Sequence, residues 1–435
     1  MKSKPIADDP LRNSGMDWVP VVGIQSIHIA ARHPRFHRIR RRLGQRSEPG
    51  ILSSCNPDPL PGKNTMHASR RALAITFFVL ACVTASSSEA RLAVEQRRRI
   101  ESQVSQFKTK NHLPSVSVAV VENGAYEWAK SFGMADLENS VPATPHTLYR
   151  LASISKPITA TAALVLYERG KLNLDAPVQT YCPAFPAKEA PITTRELLGH
   201  LGGIRHYRTH SLDDPEILSF KHYSNPIADG LNFFKNDPLV DTPGTKFSYS
   251  TFGYVLIGCV IEGASGQPYA EFVRNNVLRP ADMTETVLDD RLALIPRRTR
   301  FYSKEDSGVV VNAPAVDVSF KIPADGWLST AEDMARFEVA MLKNRIVGRN
   351  TRRLMWTSQK TSDGKETGYG LGWQIGRGFA DTVNHGGGEF GTSTFMMIAP
   401  VENAGVVVLI NLNGGNASDL APELLKTVIG RETER

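Results

Sequence analysis

Two β-hairpin signals stand at opposite ends of this 435-residue chain. The first is SVSVAVVENGAYEWAKSFGMAD, residues 115–136. Its two apolar runs are split by Asn123-Gly124, a pair that readily takes the left-handed conformations of a tight hairpin turn. The second covers residues 392–399 and 405–412, β-branched or apolar runs joined across Pro400–Ala404. Between them the pattern turns helical. Residues 154–168 form an apolar run that stops at Gly170, and helical stretches follow around 193–202, 252–264 and 269–278, separated by Pro- and Gly-rich loops. Upstream, Ile100, Val104 and Phe107 fall at i, i+4 and i+7 in an amphipathic helix over 91–110. The expected fold class is therefore α/β of the α+β kind, an antiparallel sheet flanked by helices and interrupted by a mostly helical insertion. Its sheet part covers about 91–150 and 300–430, and its helical part about 151–299. There is no internal repeat.

The net charge of +7 invites a nucleic-acid partner, but its distribution argues against one. Residues 1–90 carry 13 basic and 6 acidic side chains, which accounts for the whole excess. The remainder is balanced, with 38 of each. Residues 1–65 are Arg-rich and Pro-punctuated without an amphipathic period, a leader not expected to fold or else a mis-assigned start. Residues 66–90 (MHASRRALAITFFVLACVTASSSEA) have the basic, apolar and small-residue regions of a secretory signal peptide, with Met66 as the plausible initiator. Export to the periplasm or outside the cell follows as the expected localisation. An Arg-rich mitochondrial presequence, or a lipid anchor at Cys82, are the alternatives, and these are the only membrane links expected. Cys182 and Cys259 in the body form no disulfide framework or zinc pattern and are expected to pack as small apolar residues.

The tetrapeptide S-x-x-K occurs three times, at Ser105–Lys108, Ser153–Lys156 and Ser362–Lys365. The first lies on the polar side of an amphipathic helix and the third in a polar turn, where solvated surface is the simpler reading. Ser153 opens a helix, so Lys156 shares its face and can reach back to it. A lysine with a lowered pKa can make a serine hydroxyl nucleophilic, and a helix N-terminus favours developing negative charge. Taken alone, an N-cap serine and a solvated lysine fit equally well. Two distant segments change the weighting. PGTKFSYSTFGYVLIG places Tyr249 on a loop entering a helix, where a tyrosine near an ammonium can shuttle protons. NHGGGEFGTSTF places His385, Gly386, Gly387 and Gly388 before a strand, where glycines let backbone N–H groups approach an oxyanion.

In this order the three segments resemble the serine β-lactamase and penicillin-binding-protein superfamily, in its class C-like branch of D-Ala-D-Ala carboxypeptidases, esterases and β-lactamase-like peptidases. The resemblance spans about residues 95–425. The blocks YRLASISKP, GKLNLDAPV, ITTRELLGHLGGI, PGTKFSYS, GWLSTAEDMARF and YGLGW support it. SISK, HLGGIRHY and YSTFGY are closest in character to the mitochondrial, peptidase-like members. The resemblance implies a β-lactamase/transpeptidase-like fold and an acyl-enzyme on Ser153, with Lys156 as its base and Tyr249 as proton shuttle. It also implies that His385, Gly386 and Gly387 line the pocket, and that the N–H groups of Ser153 and Gly388 form the oxyanion hole. No cofactor or metal is implied. The substrate expected is a small molecule or peptide with a peptide, amide or ester bond.

Two positions depart from the pattern. Thr251 stands where the second motif usually has Asn, so it offers only a hydroxyl. His385 stands where β-lactamases mostly carry a fixed lysine charge. The first puts carboxamide-type recognition in doubt and favours, as an alternative, a non-catalytic binding protein on the same fold; the second weakens the reading as a dedicated β-lactamase, which stays as the other alternative. His200, His206 and His210 suggest a metal site by spacing, but no further ligand accompanies them.

Overall fold

The computed structural model describes residues 92–209, 216, 220–376 and 381–430. The leader, the signal segment and His210 lie outside this range. The principal helices are α1 (Val94–Lys110), α2 (Ser155–Glu168), α3 (Thr251–Ser265), α4 (Ala331–Leu342) and α5 (Ala417–Val428). The principal strands are β1 (Ser115–Glu122), β2 (Ala125–Asp136), β3 (Val141–Pro142), β4 (Gln374–Ile375), β5 (Val383–Glu389), β6 (Thr392–Ala399) and β7 (Ala404–Ile410).

These seven strands form one antiparallel sheet in the order β3-β2-β1-β7-β6-β5-β4. The two hairpins read from the sequence meet in its middle, β1 against β7, with Val116 opposite Ile410 and Val121 opposite Gly405. The first turn is left-handed at both Asn123 (φ 52°) and Gly124 (φ 70°), as its dipeptide predicts. Alternation along the strands sorts the core into two layers. Val116, Val118, Val120, Val406, Val408 and Ile410 face Ile100 and Val104 of α1 and Leu424, Leu425 and Val428 of α5. Ala119, Val121, Val407 and Leu409 face the other way, towards α4 and the helical region.

Helix boundaries follow local chemistry. Ser250 caps α3, its Oγ accepting the Gly253 N–H at 2.9 Å, and left-handed Gly266 (φ 70°) ends it. The stretch around 193–202 yields only Thr194–Leu198, started by a capping box between Thr193 and Glu196 and ended at Gly199. Residues 269–278 are helical throughout, with a π turn over Arg274–Leu278.

One expectation fails. Cys182 and Cys259 are not free thiols but a disulfide with Cα atoms 5.5 Å apart across 77 residues of sequence. It ties the turn after Val178 to the middle of α3. Spacing could not reveal this pair, because their proximity exists only once α3 has packed on that turn.

Glu338 on α4 is fully buried beneath the sheet, and neither carboxyl oxygen has an ionic partner among the described residues. Burial pushes its carboxyl well above the usual range, with only the Met397 backbone opposing. A raised folded-state pKa contributes stability that is fully present below the unfolded value and is lost as pH rises through the folded value. Glu338→Gln should therefore gain stability over wild type as pH climbs from 4.5, by about 1.4 kcal/mol per pH unit until the folded value is passed. Denaturant midpoints at pH 5 and pH 8 check this; an identical difference at both would contradict it.

Candidate active site

Ser153 lies in a short 3₁₀ turn, Ala152–Ile154, that runs directly into α2. The turn is clamped from two sides. Leu151 donates its N–H to the Trp327 carbonyl at 2.9 Å, and its own carbonyl accepts from Thr394 Oγ1 on β6 at 2.9 Å. Ala152, immediately before the serine, is held left-handed at φ 47°, a conformation that costs free energy for any residue with a Cβ. This local strain aims Ser153 at the cleft between the sheet and the helices.

Lys156 is fully buried one turn on, and its Nζ donates to Ser153 Oγ at 2.9 Å. It also donates to Thr251 Oγ1 and to the Ala324 carbonyl, both at 3.4 Å. Its ammonium lies 5.0 Å from the Tyr249 ring centroid and 5.8 Å from that of Tyr254. The structure thus gathers Ser153, Lys156, Tyr249 and Thr251 from the expected segments. The two other S-x-x-K copies leave their serines exposed, Ser105 on α1 and Ser362 in a turn.

Tyr249 is held by its neighbours' backbones. Ser248 donates to the His200 carbonyl at 2.8 Å, Ser250 N–H to His200 Nδ1 at 3.1 Å, and Ser250 Oγ to the Arg205 carbonyl at 2.7 Å. The His200 ring stacks at 4.3 Å from Tyr249. Burial, then Lys156, His385 and His206, hold His200 well below the usual histidine range, so it stays neutral. His200 and His206 thus serve the tyrosine loop, His206 accepting the Thr251 N–H at 3.3 Å. Among the described residues no cluster of metal-ligating side chains is present.

His385 is buried. Its Nδ1 lies 2.7 Å from the Gly386 carbonyl, which can only accept, so Nδ1 carries the proton. Nε2 lies 2.9 Å from Tyr369 Oη. Burial, followed by Tyr254 and Tyr249, holds the Tyr369 hydroxyl well above the usual tyrosine range, so it stays protonated. Gly387 packs against the nucleophile turn: a Cβ there would lie 2.2 Å from the Leu151 carbonyl oxygen and 3.2 Å from Ser153 N. Gly388 follows on β5, opposite Ser393.

Sequence reading missed a second set of residues. Asp325 is buried with Oδ1 accepting from Ser153 Oγ at 3.0 Å and lying 3.6 Å from Lys156 Nζ. Its Oδ2 accepts from Tyr207 Oη at 3.3 Å. Lys321, fully buried, donates to Tyr207 Oη at 2.9 Å, sits 4.0 Å from Asp325 and pairs closely with Glu389. The result is a buried line of alternating charge: Lys156, Asp325, Lys321, Glu389. Burial alone would raise the Asp325 carboxyl, but Lys156, Lys321, the Ser153 hydroxyl and His206 outweigh it and hold it below the usual carboxylate range. Likewise burial disfavours the Lys321 ammonium, yet Glu389, Tyr207 and Asp325 drive its pKa upward. The available signal was FKIPADGW, an apolar run with Lys321 and Asp325 four apart.

The Beta-lactamase family profile matches residues 100–429. The chain belongs to the β-lactamase family. Within this family it is 31% identical over 401 residues to the human mitochondrial serine beta-lactamase-like protein LACTB, covering 71% of this chain and 72% of that one. It is 27% identical over 345 residues to protein flp of Staphylococcus aureus strain MRSA252, covering 77% and 66% of the two chains. Its fold resembles the octameric penicillin-binding protein homologue of Pyrococcus abyssi, with a TM-score of 0.67 and 26% identity over 78% of each chain. It also resembles the D-amino acid amidase of Ochrobactrum anthropi SV3, with a TM-score of 0.66 and 23% identity over 77% and 97% of the chains, a likeness of fold.

The crowding at Gly387 gives a direct test. Gly387→Ala should displace the nucleophile turn and slow active-serine labelling about a hundredfold. Gly386→Ala, whose Cβ meets only the Phe395 ring at 3.3 Å, should be much milder. Equal labelling rates for the two variants would refute the packing account.

Proposed function

We propose that this β-lactamase-family protein is a serine hydrolase that acylates Ser153 and acts on a peptide, amide or ester bond. The observation that carries the reading is the 2.9 Å contact between a fully buried Lys156 ammonium and the Ser153 hydroxyl. A lysine buried in contact with a serine hydroxyl and a carboxylate is placed where its proton can be exchanged with the serine. Lys156 and Tyr249 carry the nucleophile's proton to the leaving group. The N–H groups of Ser153 and Gly388 receive the oxyanion.

Peptidase or esterase chemistry is favoured over a dedicated β-lactamase. His385, engaged at Nδ1 by the Gly386 carbonyl and at Nε2 by Tyr369, stands where β-lactamases mostly carry a lysine, so no lysine ammonium at this position meets a substrate carboxylate. The Cys182–Cys259 disulfide supports an oxidising compartment, in keeping with export through residues 66–90. The mature N-terminus of protein from its native source, read by mass spectrometry, checks this; an uncleaved residue 1 would oppose it.

The full-length protein should be labelled by a fluorophosphonate probe, and Ser153→Ala should abolish the labelling. A panel of nitrocefin, a D-Ala-D-Ala peptide and short p-nitrophenyl esters then ranks the substrate classes, with turnover lost in Ser153→Ala. Turnover surviving that substitution would overturn the mechanism, and neither labelling nor turnover in wild type would mark a non-catalytic binding protein.

A further inference from the structure

The direction of the hydrogen bonds around Ser153 carries an inference that rests on the acyl-enzyme reading and deepens it. Lys156 Nζ has three protons and three acceptors: Ser153 Oγ at 2.9 Å, Thr251 Oγ1 at 3.4 Å and the Ala324 carbonyl at 3.4 Å. An ammonium Nζ can only donate, so it offers the serine's proton no acceptor. The Ser153 hydroxyl proton points elsewhere, along the 3.0 Å bond to Asp325 Oδ1. That carboxylate is buried in contact with the nucleophile itself, in reach of Lys156 at 3.6 Å. Tyr207 and Lys321 secure its other oxygen, so its orientation does not depend on the serine.

We propose that Asp325 is a catalytic residue, the immediate acceptor of the Ser153 proton, and that Lys156 forwards that proton to the leaving group. This replaces the direct transfer from Ser153 to Lys156 that family resemblance implies. As Ser153 Oγ attacks, its O–H bond breaks and the proton passes to Asp325 Oδ1. The Oγ–C bond forms and the carbonyl electron pair moves onto oxygen. On collapse, the C–N or C–O bond of the substrate breaks and the leaving group takes a proton from Lys156 Nζ, directly or across Tyr249. Lys156 recovers a proton from Asp325, and the net transfer is from serine to leaving group. The charged and titratable groups facing Asp325 are Lys156, Lys321, Tyr207 and His206, with Glu389 behind Lys321. Together they keep the carboxyl ionised at neutral pH and ready to accept.

A fluorophosphonate releases fluoride, which needs no proton from lysine, so labelling isolates the first transfer. In the full-length protein Asp325→Asn should slow labelling about a hundredfold or more, the scale of a lost general base. Lys156→Met should slow labelling less than Asp325→Asn does, while its turnover of amides and esters is lost. Formate should restore labelling to Asp325→Ala, and formamide should not. Melting curves report whether each variant folds. Asp325→Asn keeping more than about a tenth of the wild-type rate, or a folded Asp325→Ala that formate fails to rescue, overturns the proposal, as does Lys156→Met labelling more slowly than Asp325→Asn. Where neither Asp325 variant folds, labelling of Lys156→Met at background overturns it and labelling above background sustains it. In each case loss of labelling in Ser153→Ala shows that the acyl-enzyme reading itself still stands.

Discussion

Four charged side chains with almost no access to water, Lys156, Asp325, Lys321 and Glu389, hold the segments around Ser153 in register. Each comes from a different piece of chain: α2, the short helical turn Ile322–Asp325, the 3₁₀ turn just before it, and the end of β5. Burying one such charge alone would cost several kcal/mol, so each is tolerable only while its neighbours are in place. The alternation of sign satisfies all four at once, and the Tyr207 hydroxyl bridges the two central members. Removing any one leaves an uncompensated charge within a few ångströms of Ser153. Stability and chemistry are therefore coupled at this point more tightly than anywhere else among the described residues.

The aromatic shell on the opposite side of Lys156 works by different physics. Tyr249, Tyr254, Tyr369, His200 and His385 surround it with aromatic rings. Burial beside a cation keeps His200 neutral, and His385 is engaged at both ring nitrogens. Lys156 thus faces a carboxylate on one side and polarisable rings on the other. A uniformly apolar pocket would expel its charge, and a uniformly acidic one would lock it in an ion pair.

Much of this arrangement was legible in the sequence because it is local. The hairpin at Asn123-Gly124, the helix that follows Tyr249 and the S-x-x-K turn are each set by a few adjacent residues, and the structure realises them in place. The order of the three motifs carried the family, and the profile over residues 100–429 agrees. What stayed hidden is non-local. Cys182 and Cys259 meet only because α3 packs against a distant turn, and Asp325 meets Ser153 across 172 positions of chain. The 194–198 helix is short because Gly199 follows its last turn. Glu338 shows the reverse problem: it looks like a surface residue of an amphipathic helix, yet it lies under the sheet.

The pairing of β1 with β7 has a consequence in time. The central ladder joins residues 116–121 to 405–410, so the sheet cannot close until nearly the whole domain has left the ribosome. Contacts of such sequence separation form late and slowly. Until then β1 and β2 exist at most as an isolated hairpin, Gly387 has nothing to press against, and the Ser153 turn lacks its clamp on β6. The surroundings of Ser153 are therefore completed only once the C-terminal strands have paired with the N-terminal hairpin.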